Sequence, residues 1–532
     1  MGLAQIDMIR EDYTNGLDHI DRSLYRNWLN HKGRQLKVSF LRKTGDFAKV
    51  EVLINDSLAM DKFNMGCRFE SYLIHTLQGN TEAAAAAKAE MKALMRGAVH
   101  SYLEYAIDYA SAGMYEEAAQ LLSFVTEENE ATYPMVYYAL GYFASKMGKK
   151  DEALNLYKKA ETMCPDYCFP NKQEEVLMLN DAMSLNPEGA KAPYYLGNFH
   201  YAARIYDEAI ACWEKSASID DTYPTVLRNL SLAYYNKQHN PQKALATLEK
   251  AYNLDTTDAR ILMELDQLYK KLRYPHRQRL DFLEAHADVV EQRDDLYIER
   301  ITLYNQLGEY QKAYDLINSR KFHPWEGGEG KVTSQYLLCR VELAKIAIRE
   351  GRFADAVRLL KETEKYPDNL GEGKLSMAEE NDIHYWMGCA YEGLGEEALA
   401  KEYFTKATKG SAEPAIAFFY NDQQPDKIFY QGLAWRKLGE EDKARSRFNR
   451  LIKHGEKHLF DKVKIDYFAV SLPDLLIWDD DLNVRNQIHC NLVMGMGYLG
   501  LGDKEQARKF LSEVARLDIN HQAGKQLLEM CD

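Results

Sequence analysis

The sequence predicts an all-α fold in which antiparallel helix pairs stack into an α-solenoid, and three observations lead there. First, a small residue recurs twelve positions before a second small residue, with a bulky residue four places further on. Second, segments with the strict two-residue alternation of a strand are few. Third, 532 residues that are 46% hydrophobic and 28% charged have the composition of a packed globular chain. Length alone suggests three or four domains at about 150 residues each, but that division lapses once a chain repeats itself.

Two weak helix pairs precede Ser101, turning at 43–45 (Lys-Thr-Gly) and 78–80 (Gln-Gly-Asn). The pattern is clearest over 140–165, where Gly141, Gly148, Ala153, Tyr157, Ala160 and Pro165 punctuate an apolar stripe at helical spacing. Gly141 and Ala153 let two helices approach closely, Gly148 marks the turn, Tyr157 and Ala160 extend the shared face, and Pro165 ends the pair. The same step recurs as Ala106/Ala118, Gly197/Ala209, Ala344/Ala356, Gly388/Ala400, Gly432/Ala444 and Gly495/Ala507, followed by Leu122, Trp213, Leu360, Phe404, Phe448 and Leu511. Ile301/Ala313 with Ile317 fits loosely, and Ser231/Ala244 with Leu248 fits after one inserted residue. A degenerate second helix is expected around Phe282 and Ala285, with added helices over 171–186 and 460–476. A closing helix over 521–530 carries Gln522, Lys525 and Gln526 on a polar face, as a cap requires.

These small and large positions resemble the tetratricopeptide repeat family, whose unit is a helix-turn-helix of about 34 residues. Gly197 to Ser231 spans 34 residues. The resemblance implies a right-handed superhelix of roughly ten to twelve helix pairs, with first helices lining a concave surface that takes extended peptides or partner helices. As one pair cannot bury its apolar face alone, a single continuous solenoid is expected. Within it, 1–100 hold degenerate helical repeats, 101–320 the main array, 321–335 a long Gly/Trp loop, and 336–532 the rest of the array with its cap.

Five segments carry a closer resemblance: CPDYCFP at 164–170, APYYLGN at 192–198, ELDQLYK at 264–270, FHPWEGGEGK at 322–331 and SLPDLLIWDDDL at 471–482. They resemble the C-terminal tetratricopeptide half of a family of large bacterial proteins whose N-terminal half is a mutarotase-like β-sandwich. The resemblance runs over nearly everything after about Gly33 and implies a β-sandwich partner and a carbohydrate-associated setting. The β-sandwich half itself has no counterpart here.

Charge and composition exclude several classes. Lys+Arg 67 against Asp+Glu 81 gives a net charge of −14, which lacks the basic footprint of a nucleic-acid or anionic-membrane binder. No stretch approaches the roughly 20 apolar residues that span a bilayer. The N-terminal residues have no uninterrupted apolar core of a signal peptide, and Ile6 stands where myristoylation wants Ser or Thr. Eight scattered cysteines read as reduced core residues, and a cytoplasmic setting is expected.

No catalytic residue, metal or cofactor is expected. The glycines of FHPWEGGEGK suggest a phosphate loop, yet Trp325 occupies the first glycine place and Val332 the hydroxyl place. The loop has two readings: a structural connection anchored by Trp325, or a surface presenting His323, Trp325, Glu326 and Glu329 to a ligand. His454 and His458 share a helical face but lack the Glu of a zinc-protease motif and a third ligand. Cys164 and Cys168 lack a second pair at ligand spacing. Asp479, Asp480 and Asp481 lack the glycine and closing Glu of a calcium loop and suit a helix N-terminus.

The stronger functional signal is aromatic. Of the 36 tyrosines, several fall on first helices, and the family's register aligns Tyr138, Tyr142, Tyr194, Asn198, Tyr201, Arg228, Tyr235 and Asn236 along a groove. Tyrosine gives wide amphipathic contact at small entropic cost, and asparagine amides bond a peptide backbone. Asn198 and Asn229 match the asparagines of the family's carboxylate clamp, but Tyr194 replaces its lysine. The expected function is therefore a non-enzymatic scaffold binding a protein, as a peptide or a partner helix. The alternative is a C-terminal module of a carbohydrate-active system, assisting a β-sandwich domain or binding sugar on the tyrosines.

Overall fold

A computed structural model describes residues 1–127, 133–376, 378–415, 424–464 and 477–531, and the described residues are helical with no strand. The pairing expected from the twelve-residue step is present. In the first stretch His31–Lys43 pairs with Phe47–Met60, Met65–Leu77 with Thr81–Met95, Val99–Ala110 with Tyr115–Thr126, Pro134–Lys146 with Lys150–Thr162, and Lys191–Ala202 with Tyr206–Ile219. Further along, Ala259–Lys271 pairs with His276–Glu284, Asp294–Gln306 with Tyr310–Asn318, Lys331–Arg349 with Phe353–Lys361, Asn381–Gly393 with Glu397–Ala407, Pro425–Lys437 with Glu441–His458, and Leu482–Leu501 with Lys504–Leu517. Between these sets, Pro224–Asn236 and Pro241–Leu254 are joined by the Ser231 hydroxyl, which donates to the Ala244 carbonyl at 2.7 Å. The described residues thus hold twelve pairs, the upper end of the expected number.

The small positions have a direct steric cause. A Cβ built on Gly141 would lie 2.4 Å from the Tyr157 ring, on Gly197 2.4 Å from Trp213, on Gly388 2.6 Å from Phe404, on Gly432 2.4 Å from Phe448, and on Gly495 2.6 Å from Leu511. In each pair the bulky residue of the second helix rests on the bare backbone of the first. Those bulky side chains are buried, which contributes about 1.5–3 kcal/mol apiece. Turn glycines do a different job: Gly148 and Gly439 sit at φ +77° and +79° with open space around them, so backbone conformation selects them. Helix starts are capped locally, as where Asp12, Asn30, Asn64, Asp258 and Asp503 accept from backbone N–H groups.

Several elements refine the sequence expectations. The added helix over 171–186 is Gln173–Leu185, and the cap over 521–530 is Gln522–Glu529. The degenerate second helix is His276–Glu284, with a short turn Ala287–Val290 after it. Two N-terminal helices without the repeat signature, Gly2–Ile9 and Tyr13–Arg26, pack together ahead of the first expected pair. The helix expected over 460–476 lies mostly outside the described residues; Glu441–His458 ends before it. The loop given as 321–335 ends earlier, because a helix starts at Lys331.

The chain divides into two compact units, Met1–Leu230 and Ser231–Asp532. The first unit contains a buried ion cluster: Arg42 donates to Glu70 at 2.6 Å and to Glu117 at 3.1 Å, and the Ser39 and Tyr109 hydroxyls donate to Glu70 at 2.6 and 2.9 Å. The second is stitched by an apolar cluster including Ile428, Phe448, Leu492, Val493, Leu511, Val514 and Leu527, and another around Ala344, Leu360, Met387 and Phe404.

Candidate functional site

The first helices of the second unit face a common cavity of about 830 Å³. Its wall takes Tyr235 from Pro224–Asn236, Met263, Gln267 and Lys270 from Ala259–Lys271, and Ile298 and Glu299 from Asp294–Gln306. Ser334 and Gln335 come from Lys331–Arg349, Pro425 and Asp426 from Pro425–Lys437, and Ile488, His489 and Met496 from Leu482–Leu501. The surface that stacking leaves concave is therefore closed within this unit into a lumen.

Closure comes from two places far apart in sequence. Trp478 is fully buried, and its indole N–H donates to the Glu264 carbonyl at 3.0 Å while Tyr235 meets its ring edge-on at 5.2 Å. Asn236 holds the same strap from both sides, donating to the Ile477 carbonyl at 2.8 Å and accepting from the Asp479 N–H at 2.8 Å. Asp480 pairs with Lys271 at 3.0 Å. The second closure is the turn 518–521: Asn520 accepts from Arg279 at 3.3 Å and lies 3.2 Å from His276 Nε2. Gln306 donates to the Asn520 carbonyl, and Gln335 donates to Gln522 at 2.9 Å.

Charge in the wall is largely neutralised in place. Buried Arg279 donates to Asp266 at 2.6 and 3.0 Å and to Glu299 at 2.7 Å, and Lys270 donates to Glu299 at 2.9 Å. Burial alone would raise the Glu299 pKa, but Lys270 and Arg279 hold it down to about 2. Burial pushes the His489 imidazole down to about 4, with His454 adding to the effect, so His489 is neutral at pH 7. Among the described residues the lining thus offers aromatic faces, amides and two imidazoles, His489 and His521, both held toward the neutral form by burial, with its acids and bases mostly in pairs.

The structure places the sequence candidates unevenly. Six fall in the first unit. Tyr138 is fully buried with its hydroxyl donating to Glu161 at 2.7 Å, and burial beside that carboxylate pushes its pKa well up. Tyr194 is buried too, its ring against Tyr195 and Tyr223 at 5.2 and 5.1 Å. Tyr142 is half-buried beneath the Lys146 ammonium at 5.1 Å, and Tyr201 is half-buried against Trp213 at 5.2 Å. Asn198 accepts from Trp213 at 3.1 Å and from Asn229 at 3.3 Å, and Arg228 donates to Asn229 at 3.2 Å. The remaining two, Tyr235 and Asn236, hold the Trp478 strap in the second unit.

The FHPWEGGEGK loop divides between both of its readings. Its buried anchor is Phe322, whose N–H donates to the Asn369 carbonyl at 2.8 Å, and not Trp325. His323 is 76% exposed and is tied to Asp294 at 3.2 Å, while Glu326 and Glu329 are exposed. Trp325 is half-buried and forms part of the lumen wall, its ring lying over Gly328, where a Cβ would come within 2.1 Å.

The remaining motifs fall into place. Asp481 caps Leu482–Leu501 by accepting from Asn483 N–H at 2.8 Å, while Asp479 and Asp480 face Lys237 and Lys271. The rings of His454 and His458 lie 4.6 Å apart, tilted by 41°, and His489 approaches His454 at 5.9 Å, but no group of three side chains suited to a metal occurs among the described residues. Among the described residues no disulfide links two of the eight cysteines; Cys168 is buried and Cys164 exposed. No helix among the described residues is long and apolar enough to cross a membrane. Sequence reasoning missed Trp478, Gln335, His489 and Asn520 as site residues, since nothing in the local pattern of Trp478, Gln335 or Asn520 announces contacts made roughly 200 residues away, and His489 meets His454 across a neighbouring helix pair.

Two tetratricopeptide repeat family models match the chain, one over residues 136–167 and 382–409 and the other over 428–454. Among solved structures, the chain is similar to MamA from Desulfovibrio magneticus RS-1 at 17% identity, covering 37% of this chain and 97% of that one with a TM-score of 0.21. It is also similar to YrrB, described as a tetratricopeptide repeat protein with an unusual peptide-binding site, at 18% identity, 39% and 95% coverage and a TM-score of 0.19. The tetratricopeptide repeat domain of P58(IPK) aligns at 13% identity, with 88% and 97% coverage and a TM-score of 0.24. Each family match coincides with one of the helix pairs built on the glycine contacts described above, so three of those pairs are matched as tetratricopeptide repeats.

Proposed function

We propose that the chain is a non-enzymatic scaffold that binds a protein partner through an extended peptide segment held in the lumen of the second unit. The observation that supports this is the lining itself: Tyr235 and Trp325 supply aromatic surface, and Gln267, Gln335, Gln424 and Gln522 supply amides around the cavity. Amides bond a peptide backbone without demanding a particular sequence, and aromatic rings add contact area at little rotamer cost. A volume of about 830 Å³ lies within the range of about 300–1,000 Å³ typical of ligand sites. Two turns of a partner helix 10–12 Å wide would fill roughly 1,000 Å³, so an extended segment suits this lumen better than a helix. The half-buried Tyr142, Asn198, Tyr201 and Arg228 of the first unit form a second candidate surface, with His323, Glu326 and Glu329 at the loop.

Eight cysteines scattered along a long chain suit a reducing compartment such as the cytoplasm. The alternative of a β-sandwich partner and a carbohydrate-associated role rests on the sequence resemblance alone. One experiment addresses both. The purified chain and a Trp325→Ala/Gln267→Ala variant serve as bait in parallel affinity captures, and peptides tiled from each retained protein are titrated against both baits. A peptide that binds the parent and loses about tenfold or more with the variant supports the lumen reading, since aromatic anchors dominate such interfaces. Equal binding by both baits overturns it, and capture of a β-sandwich protein supports the alternative.

A further inference from the structure

We propose that the turn 518–521 and the helix Gln522–Glu529 form a releasable clasp, which lifts from the first helices of the second unit to admit a peptide to the lumen. This rests on the lumen being the peptide site, and it adds how that site is regulated. The two faces of the clasp are chemically opposite. Toward its own pair it is apolar: Leu527 and Cys531 are buried in the cluster with Leu511 and Val514, and Leu528 and Met530 pack alongside. Toward the first helices it is polar, held by Asn520, Gln522 and Lys525. Asn520 meets Arg279 and His276, donates to the Lys270 carbonyl at 3.4 Å and accepts from Gln306 at its own carbonyl. Gln522 exchanges hydrogen bonds with Gln335 at 2.9 and 3.1 Å, and the Lys525 ammonium donates to the Gln306 carbonyl.

Water can replace polar contacts of this kind at small net cost, whereas it cannot replace the apolar face. The clasp therefore stays on Lys504–Leu517 and parts from Ala259–Lys271 and Asp294–Gln306. The seam is also imperfectly packed. A void of about 10 Å³, the space of roughly one water, lies among Gln306, Tyr310, Leu338, Gln522, Lys525 and Gln526. At its edge the side-chain oxygens of Asn305 and Gln306 are buried without a partner. The other closure differs on every count: Trp478 is fully buried, its N–H is bonded, and two ion pairs flank it. Trp478 thus fixes one closure of the lumen, while the other is held by a seam that can open.

The test needs no peptide, so its result is independent of whether the binding proposal holds. Met263 and Met496 line the lumen at 6% and 1% exposure, and Met91 in the first unit is 1% exposed. Their oxidation by dilute hydrogen peroxide, read by peptide mass spectrometry, reports access. Asn520→Ala removes the hub of the seam, and its expected effect is oxidation of Met263 and Met496 about 5- to 30-fold faster with Met91 unchanged. Lys525 is exposed, so Lys525→Ala tests the same seam without touching the core and should give a smaller rise of the same pattern. Unchanged rates at Met263 and Met496 in both variants overturn the clasp. So does a rise shared equally by Met91, which would mark general loosening.

Discussion

Gly432→Ala puts the packing logic of the repeat at risk in a single methyl group. The new Cβ would lie 2.4 Å from Phe448 Cε1 and 2.6 Å from Cζ, far inside van der Waals contact. The ring has nowhere to go, because Gly500 meets it from another helix, where a Cβ would come within 2.2 Å of Cδ1. Phe448 is fully buried, and Phe429 and the Arg436 guanidinium lie at 6.0 and 5.2 Å. Overpacking of this kind costs about 1–3 kcal/mol, and the clamped ring places it near the top of that range. Alanine returns up to about 1 kcal/mol through helix propensity, leaving a net loss near 2 kcal/mol. Native-state hydrogen exchange over Pro425–Lys437 and Glu441–His458 reads this locally, which suits a repeat array that need not unfold in one step. Adding Phe448→Leu to the variant should recover part of the loss, a coupling of about 1 kcal/mol. If Gly432→Ala instead slowed exchange, propensity alone would be at work, and the account of why small residues recur would be wrong.

Three further outcomes follow from buried groups. Glu299→Gln leaves Lys270 without its anion while Arg279 keeps Asp266, and should cost about 1.5–3 kcal/mol in urea denaturation of the second unit. His489 is held near pKa 4 when folded against an ordinary 6.5 when unfolded, so the unfolded chain takes up a proton first as pH falls; stability drops from about pH 6.5 and levels off below 4. The shift corresponds to about 3 kcal/mol, and His489→Gln should flatten that part of the pH-stability curve relative to the parent. Trp478→Ala removes a buried indole and its bond to Glu264, and should cost about 3–5 kcal/mol with faster exchange in Ala259–Lys271.

What the sequence revealed was what repeats over short distances. The glycine or alanine twelve residues before its partner, and the ring four beyond, are local consequences of 3.6 residues per turn, so the pairs were legible down to which side chain rests on which backbone. The Ser231/Ala244 pair was legible even with an inserted residue, because the hydroxyl reaches the opposite carbonyl. The lumen was not legible. Its closure joins Trp478 to Glu264 and Asn520 to Lys270, more than 200 residues apart, and no periodicity encodes such a contact. Rings were also harder to place than helices. Tyr138 and Tyr142 lie one turn apart on the same helix, yet the first is buried over Glu161 and the second half-open beneath Lys146. A residue's helical face says which neighbour it meets, but how deep it sits depends on helices outside its own pair.

The fixed closure at Trp478 bears on the order in which the second unit is assembled. Each pair along it can form as soon as its own residues are available, since its contacts are a dozen or so positions apart. The indole, in contrast, must find the Glu264 carbonyl across 214 residues. Because ring-closing entropy grows only as the logarithm of the intervening length, that distance is affordable once the pairs between are in place. A chain emerging from synthesis therefore carries an open spiral until Trp478 is made. Refolding of this unit should show a rapid gain of helix followed by a slower burial of that tryptophan, the step that turns the spiral into a ring.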